Sequence, residues 1–197
     1  MIKNNLKNIL ASASPRRKNI LSQIGFSFKI IPSKINEDFN LDLPPEAFCE
    51  HWAREKAKTI AKENPKSFVI GADTIVFSEG NILGKPRNKD HSISMLQSIS
   101  GKTHEVLTGI SMINLEYEID QTFNQSTKVS CNVLTKSDIN NYINNYKPYD
   151  KAGSYGIQDG FSVHINNIKG CYYNILGFPI SKFYQRYQLA IKDITID

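Results

Sequence analysis

The stretch SFVIGADTIVF, residues 67–77, places the tightest limit on what this chain can fold into. Its apolar, largely β-branched residues read as a buried strand, yet a carboxylate, Asp73, stands in the middle. An ionised carboxylate buried without partners is costly, so it needs hydrogen bonds, a cation or a raised pKa. Capping a local turn is the alternative, but the strand pattern resumes directly over 74–77 and leaves little room for one. Gly71 and Ala72 leave space beside the carboxylate for a ligand or a bulge. The same run is the longest apolar one in the chain, and it is too short to span a bilayer.

A second junction raises a related question. In ILASASPRRKNIL, residues 9–21, a short strand over 7–10 exits through 11–14 into a helix. Ser14 offers the N-cap hydroxyl and Pro15 takes the first helical position, where its missing N–H costs nothing. Arg16 and Arg17 then fall in the first turn, where free amides and the helix dipole already favour anions. Two arginines there either point to solvent or join the amides around a phosphate, and spacing alone leaves both readings open.

Residues 44–62 read as a helix with Phe48, Cys49, Trp52, Ala53, Ala57 and Ile60 on one stripe. Lys56 falls on that stripe. A lysine snorkelling at the core edge is the reading spacing favours, and an ammonium aimed into a cleft is the other. SEGN (78–81) reads as a hairpin turn, and Lys85 sits between Gly84 and Pro86 in a stiff loop. A short helix spans 90–100, closed by Gly101. Strands are expected at 105–114, 117–124 and 127–135, then a helix over 137–146 with Ile139, Tyr142, Ile143 and Tyr146 inward. A long glycine-rich loop, KPYDKAGSYGIQDG, follows; strands at 161–168 and 171–176 lead to a final helix from about residue 180. The class is α/β or α+β, with a mixed sheet and two lobes flanking a cleft.

Several motifs fail. SGKT (100–103) imitates a P-loop, but Leu96 stands where glycine is needed and the helix precedes the strand. His51, His91, His104 and His164 make no metal-ligand spacing. Cys171 has no neighbouring base and reads as a buried structural thiol. The three cysteines lie far apart, which argues against zinc and disulfides and fits a reducing cytoplasm. The start of the chain lacks a long apolar region and a cleavage site, so no signal peptide is expected. A net charge of +5 suits an anionic ligand. Its scattered distribution, without clustered exposed aromatics, gives no support for nucleic acid as partner.

LASASPRR, EKA, GADTIV, LGKPR, SGKTHEVLTG, DKAGSYGIQ and GCYYNILGFP occur in the order found in Maf proteins, and over nearly its whole length the chain resembles that family. The resemblance implies one Maf-like domain over residues 1–197. It implies the architecture of the inosine-triphosphate pyrophosphatases, a mixed twisted sheet with two lobes around a central cleft. The implied activity is hydrolysis of a nucleoside triphosphate to the monophosphate and pyrophosphate, using a divalent metal, Mg2+ or Mn2+. By the same resemblance Ser12, Arg16 and Arg17 line the phosphate end, and Lys56 and Lys85 are further phosphate contacts. Asp73 is the proton acceptor and holds the metal with Glu37, beside which Asp38 is adjacent. Arg16, Thr74 and Gln158 resemble the branch selective for dTTP and UTP, whereas the branch acting on 7-methyl-GTP differs in place of KAGSYGIQ.

Two departures stand out: Cys131 replaces a usual aromatic residue, and DGFSVHINNIKGC after Gln158 is shifted from the usual glycine-rich form. The residues lead one to expect a cytoplasmic protein without a nucleic-acid or membrane partner, and the resemblance implies a nucleotide substrate and a homodimeric form. A regulatory nucleotide-binding protein of cell-division control, with little turnover, is the alternative.

Overall fold

The computed structural model describes residues 6–192 and 194, so the expectation about a signal peptide falls partly on residues 1–5, outside the described ones. In chain order the elements are β1 (Asn8–Leu10), α1 (Pro15–Gln23), β2 (Lys29–Ile30), α2 (Pro45–Glu63), β3 (Phe68–Ser78), β4 (Asn81–Leu83), α3 (Lys89–Ile99), β5 (Thr103–Asn114), β6 (Ile119–Cys131) and α4 (Lys136–Tyr146). Two 3-10 turns, Ala152–Ser154 and Gly160–His164, then lead through β7 (Ile165–Lys169) and α5 (Tyr172–Ile175) to α6 (Ile180–Ile191). Among the described residues the strands form one sheet in the order β2-β1-β3-β5-β6-β7, with β4 beside β3. It is mixed, as expected: β1 is parallel to β2 and β3, while β4 is antiparallel to β3 and β7 to β6. No helix among the described residues is long and apolar enough to cross a membrane.

The chain divides into two compact units. The first comprises Met1–Asp73, Thr108–Gln125 and Gly177–Asp197. Its core includes Ile9, Ala57, Ile60, Val69 and Ile113. A cluster of aromatic rings adds to it, with Phe68 edge-on and Phe183 tilted against Tyr187, whose hydroxyl donates to Asn8 Oδ1 at 2.7 Å. Here α2 lies against the sheet backbone. A Cβ on Gly71 of β3 would overlap the Ala53 carbonyl oxygen and lie 2.8 Å from Ala57 N, and one on Gly109 of β5 would overlap the Cys49 carbonyl. The space beside Gly71 is thus filled by a helix, and the ligand or bulge expected there is not what uses it.

The second unit comprises Thr74–Leu107 and Ser126–Leu176. Val76, Leu96, Ile99, Val129, Ile143 and Phe161 are among its core. Within it, α4 starts from a capping box in which Thr135 and Asp138 bond each other's backbone N–H.

Four local expectations need correction. One strand, β6, covers what read as two, because its polar middle is provided for: Asn124 Nδ2 donates to Glu50 Oε1 and Ser126 Oγ to Glu105 Oε2, each at 2.7 Å. The expected strand at 171–176 is the helical turn α5, which carries Asn174 inward to donate to the Val106 carbonyl at 2.8 Å and Thr127 Oγ1 at 3.0 Å. Residues 161–164 are 3-10 rather than strand, following the Asp159 side chain that accepts from Phe161 N. Tyr146 is 46% exposed, stacked on the buried Tyr142 instead of entering the core.

Candidate functional site

In the first unit β1 hands over to α1 as the sequence indicates. Parallel pairing aligns Leu10 with Ile70, and Ala11 N still donates to the Ile70 carbonyl, so the chain leaves the sheet at Ser12. Ser14 caps α1, accepting from Arg17 N, and Pro15 follows it. The two arginines then diverge. Arg16 is half-buried. Arg17 is buried, donating from Nε to the Gly177 carbonyl and from Nη1 to Ser12 Oγ, both at 2.9 Å. Burial pulls its pKa below the ordinary value; Asp73 opposes this, Arg16 adds to it and Glu37 opposes it. Arg17 remains a cation, and it is an anchor as well as a charge. Its partner Gly177, at φ 94, was not singled out from the sequence, although the quoted LGFP contains it.

Asp73 is in mid-strand, 4% exposed, so the turn-capping alternative is gone. Its partner is Lys56, reached from α2: Nζ lies 2.7 Å from Asp73 Oδ1 and 2.6 Å from Glu37 Oε1. Lys56 therefore bridges two carboxylates at 12% side-chain exposure, which a snorkelling lysine would not do. Asp73 Oδ2 is buried, with no hydrogen-bond partner among the described residues. Glu37 comes from the irregular segment before α2. The neighbouring Asp38 turns away and accepts from Asn40 N and Nδ2 at 2.9 and 3.0 Å, so of the two acidic residues it is Glu37 that faces the lysine. Ser12, Arg17, Glu37, Lys56 and Asp73 are thus each held by named partners within this unit.

Three further residues named from the sequence lie in the second unit. Thr74 is half-buried on β3, and Lys85 is exposed. Gln158 is exposed in a turn closed by Asp159 N donating to the Gly156 carbonyl. One phenol holds both ends of that turn: Tyr142 Oη accepts from Gly156 N at 3.0 Å and donates to Asp159 Oδ2 at 3.2 Å. Burial and the Asp159 carboxylate push the Tyr142 pKa well up, so it stays a donor. Nearby His104 Nε2 meets Tyr155 Oη at 2.7 Å, and burial lowers its pKa to about 4. Cys171 is half-buried, not buried as expected, and its backbone N–H donates to Thr127 Oγ1 at 3.1 Å.

Among the described residues no group of three His, Cys, Asp or Glu side chains could hold a metal ion. Glu37 and Asp73 are two carboxylates, and Asp73 Oδ2 has lone pairs that no group among the described residues uses. That donor set fits magnesium or manganese, hard cations that bind through one or two protein carboxylates with phosphate oxygens completing the shell.

The model of the Maf-like protein family matches residues 7–189. A protein of Lachnoclostridium phytofermentans named dTTP/UTP pyrophosphatase is 44% identical over 96% of this chain and 95% of its own. Proteins of the same name from Clostridium perfringens and Bacillus cereus are 43% and 42% identical, covering 97% and 96% of this chain and 100% and 98% of theirs. Among solved structures, the Ham1 protein of Staphylococcus aureus superposes on 64% of this chain and 71% of its own, at 15% identity and a TM-score of 0.46.

Proposed function

The chain belongs to the Maf-like family, and we propose that within it this protein hydrolyses dTTP and UTP to the nucleoside monophosphate and pyrophosphate. The observation that carries the reading is the pair of carboxylates Glu37 and Asp73 bridged by Lys56, with the buried Asp73 Oδ2 unpartnered among the described residues.

A triphosphate carries close to four negative charges, and breaking the bond between the α-phosphorus and the bridging oxygen leaves more charge on pyrophosphate. Positioning and charge stabilisation dominate such transfers. The N-terminal turn of α1, with Arg16 beside it, suits phosphate oxygens, and Arg17 stiffens that turn by its bonds to Gly177 and Ser12. Lys56 and Lys85 serve as point charges for phosphate. As water attacks the α-phosphorus, its proton passes to Asp73. Oδ2 is the oxygen that can take it, since Oδ1 already accepts from Lys56. Glu37 and Asp73 are the residues that would hold a divalent cation, which when bound would supply neutralisation of phosphate charge and a more acidic water. Base choice is assigned to Thr74, Arg16 and the exposed amide of Gln158, which offers a donor and an acceptor to the O4/N3 edge of thymine or uracil.

Pyrophosphate release from dTTP, UTP, CTP, dCTP, GTP, 7-methyl-GTP and 5-methyl-UTP, with magnesium or manganese, tests the reading. Preferred turnover of dTTP and UTP is expected. Turnover of another base would keep the chemistry and discard the selectivity, and no turnover of any would refute the enzyme. Gln158→Ala should flatten the preference; unchanged selectivity would move recognition elsewhere.

A further inference from the structure

One oxygen of each carboxylate that could hold a divalent cation, Glu37 Oε1 and Asp73 Oδ1, is already engaged by the same ammonium. Lys56 Nζ is 2.6 Å from Glu37 Oε1 and 2.7 Å from Asp73 Oδ1, so the two oxygens are within about 5 Å of each other across it. A cation bound to both of these oxygens at about 2.0–2.1 Å would lie within about 5 Å of this nitrogen, and the two positive charges would repel each other. Asp73 Oδ2 has no hydrogen-bond partner among the described residues, but a single carboxylate oxygen is a poor trap for a hydrated dication on its own.

We propose that Lys56 and the divalent cation compete for Glu37 Oε1 and Asp73 Oδ1, so that the cation is captured with the triphosphate and not by the chain alone. The triphosphate brings the cation and accepts the ammonium that the carboxylates release, leaving Asp73 Oδ2 for the proton. In the absence of nucleotide the same lysine keeps a buried carboxylate paired. The inference rests on the pyrophosphatase reading for the identity of the anion, but the competition itself needs only Glu37, Lys56 and Asp73.

Binding of Mn2+ to the full-length chain, followed by the electron paramagnetic resonance signal of the free ion, tests it without turnover. The wild-type protein should bind Mn2+ weakly alone and at least tenfold more tightly with α,β-methylene-dTTP, after allowance for Mn2+ bound to the free nucleotide. Lys56→Met should bind Mn2+ at least tenfold more tightly than wild type without nucleotide, and should lose most of the nucleotide's enhancement. Equal Mn2+ affinity of wild type with and without the analogue overturns the proposal even if the variant does not fold. Equal affinity of a folded variant and wild type without nucleotide overturns it too, since it would place the ion on Oδ2 with Lys56 undisturbed. The turnover panel separates the two readings: absent pyrophosphate release refutes the enzyme, while the Mn2+ titration alone judges the competition.

Discussion

Gly71→Ala is the perturbation that joins the fold most directly to the chemistry. The glycine lies two residues before Asp73 on β3, and it faces Ala53 and Ala57 on the helix that carries Lys56. An added methyl would overlap the Ala53 carbonyl and lie 2.8 Å from Ala57 N and 2.9 Å from Ala57 Cβ. Ordinary carbon contacts are about 3.5–4.0 Å, so the helix must retreat by about 1 Å. Neither obstacle can swing aside, because the carbonyl oxygen and the amide nitrogen belong to helix backbone. Overpacking of this kind costs about 1–3 kcal/mol, and each kcal/mol moves the Tm of a chain this size by about 2–4 °C. The same retreat carries Lys56 away from Asp73, whose present separation is 2.7 Å. A displacement of that size can cost about 100-fold in rate when it misplaces reacting groups. Urea unfolding gives the stability change, and dTTP turnover at a temperature where both proteins are fully folded separates geometry from unfolding. A variant with the wild-type urea midpoint would refute the close approach. One that is destabilised but turns over normally when folded would show that the helix position does not govern the Lys56–Asp73 contact.

Asp73→Asn keeps the shape and an oxygen acceptor for Lys56 while removing the proton acceptor. Turnover should fall by about 10²- to 10⁴-fold, with binding of α,β-methylene-dTTP largely kept; near-normal kcat would remove Asp73 as the base. Arg17→Ala takes both hydrogen bonds from Gly177 and Ser12 and should cost about 1–3 kcal/mol in urea unfolding, and Arg17→Lys should restore little because an ammonium lacks the planar fork. His104 titrates near 4 in the folded chain and near 6.5 unfolded, so the unfolded state binds the extra proton first as pH falls. Its contribution is complete above about pH 6.5 and is lost toward pH 4, amounting to roughly 3 kcal/mol. The pH dependence of the urea midpoint should flatten over that window in His104→Gln, and an unchanged slope would assign the acid sensitivity to other groups.

The local signals written in the chain were those with a strict backbone requirement. Ser14 followed by Pro15 marked the start of α1, the apolar stripe from Phe48 to Ile60 marked α2, and an apolar run through 67–77 marked β3 despite its carboxylate. The chemistry of the site was legible for the same reason: Asp73 stood out because a charge in a buried strand demands a partner. What that partner is could not be read from spacing. Lys56 lies 17 residues away in the sequence, and only the crossing of α2 over Gly71 turns a stripe position into an ion pair. Glu37 and Asp38 are equivalent as adjacent carboxylates, and the Asn40 turn decides between them. The two arginines read alike, yet the carbonyl of Gly177, 160 residues away, draws one of them inward. The polar middle of β6 and the buried Asn174 of α5 misled local reading because hydrogen bonds to distant elements satisfy them. Backbone preference and burial pattern act over a few residues and are carried by the sequence itself. Which buried charge meets which depends on long-range packing, and only the tertiary structure settles it.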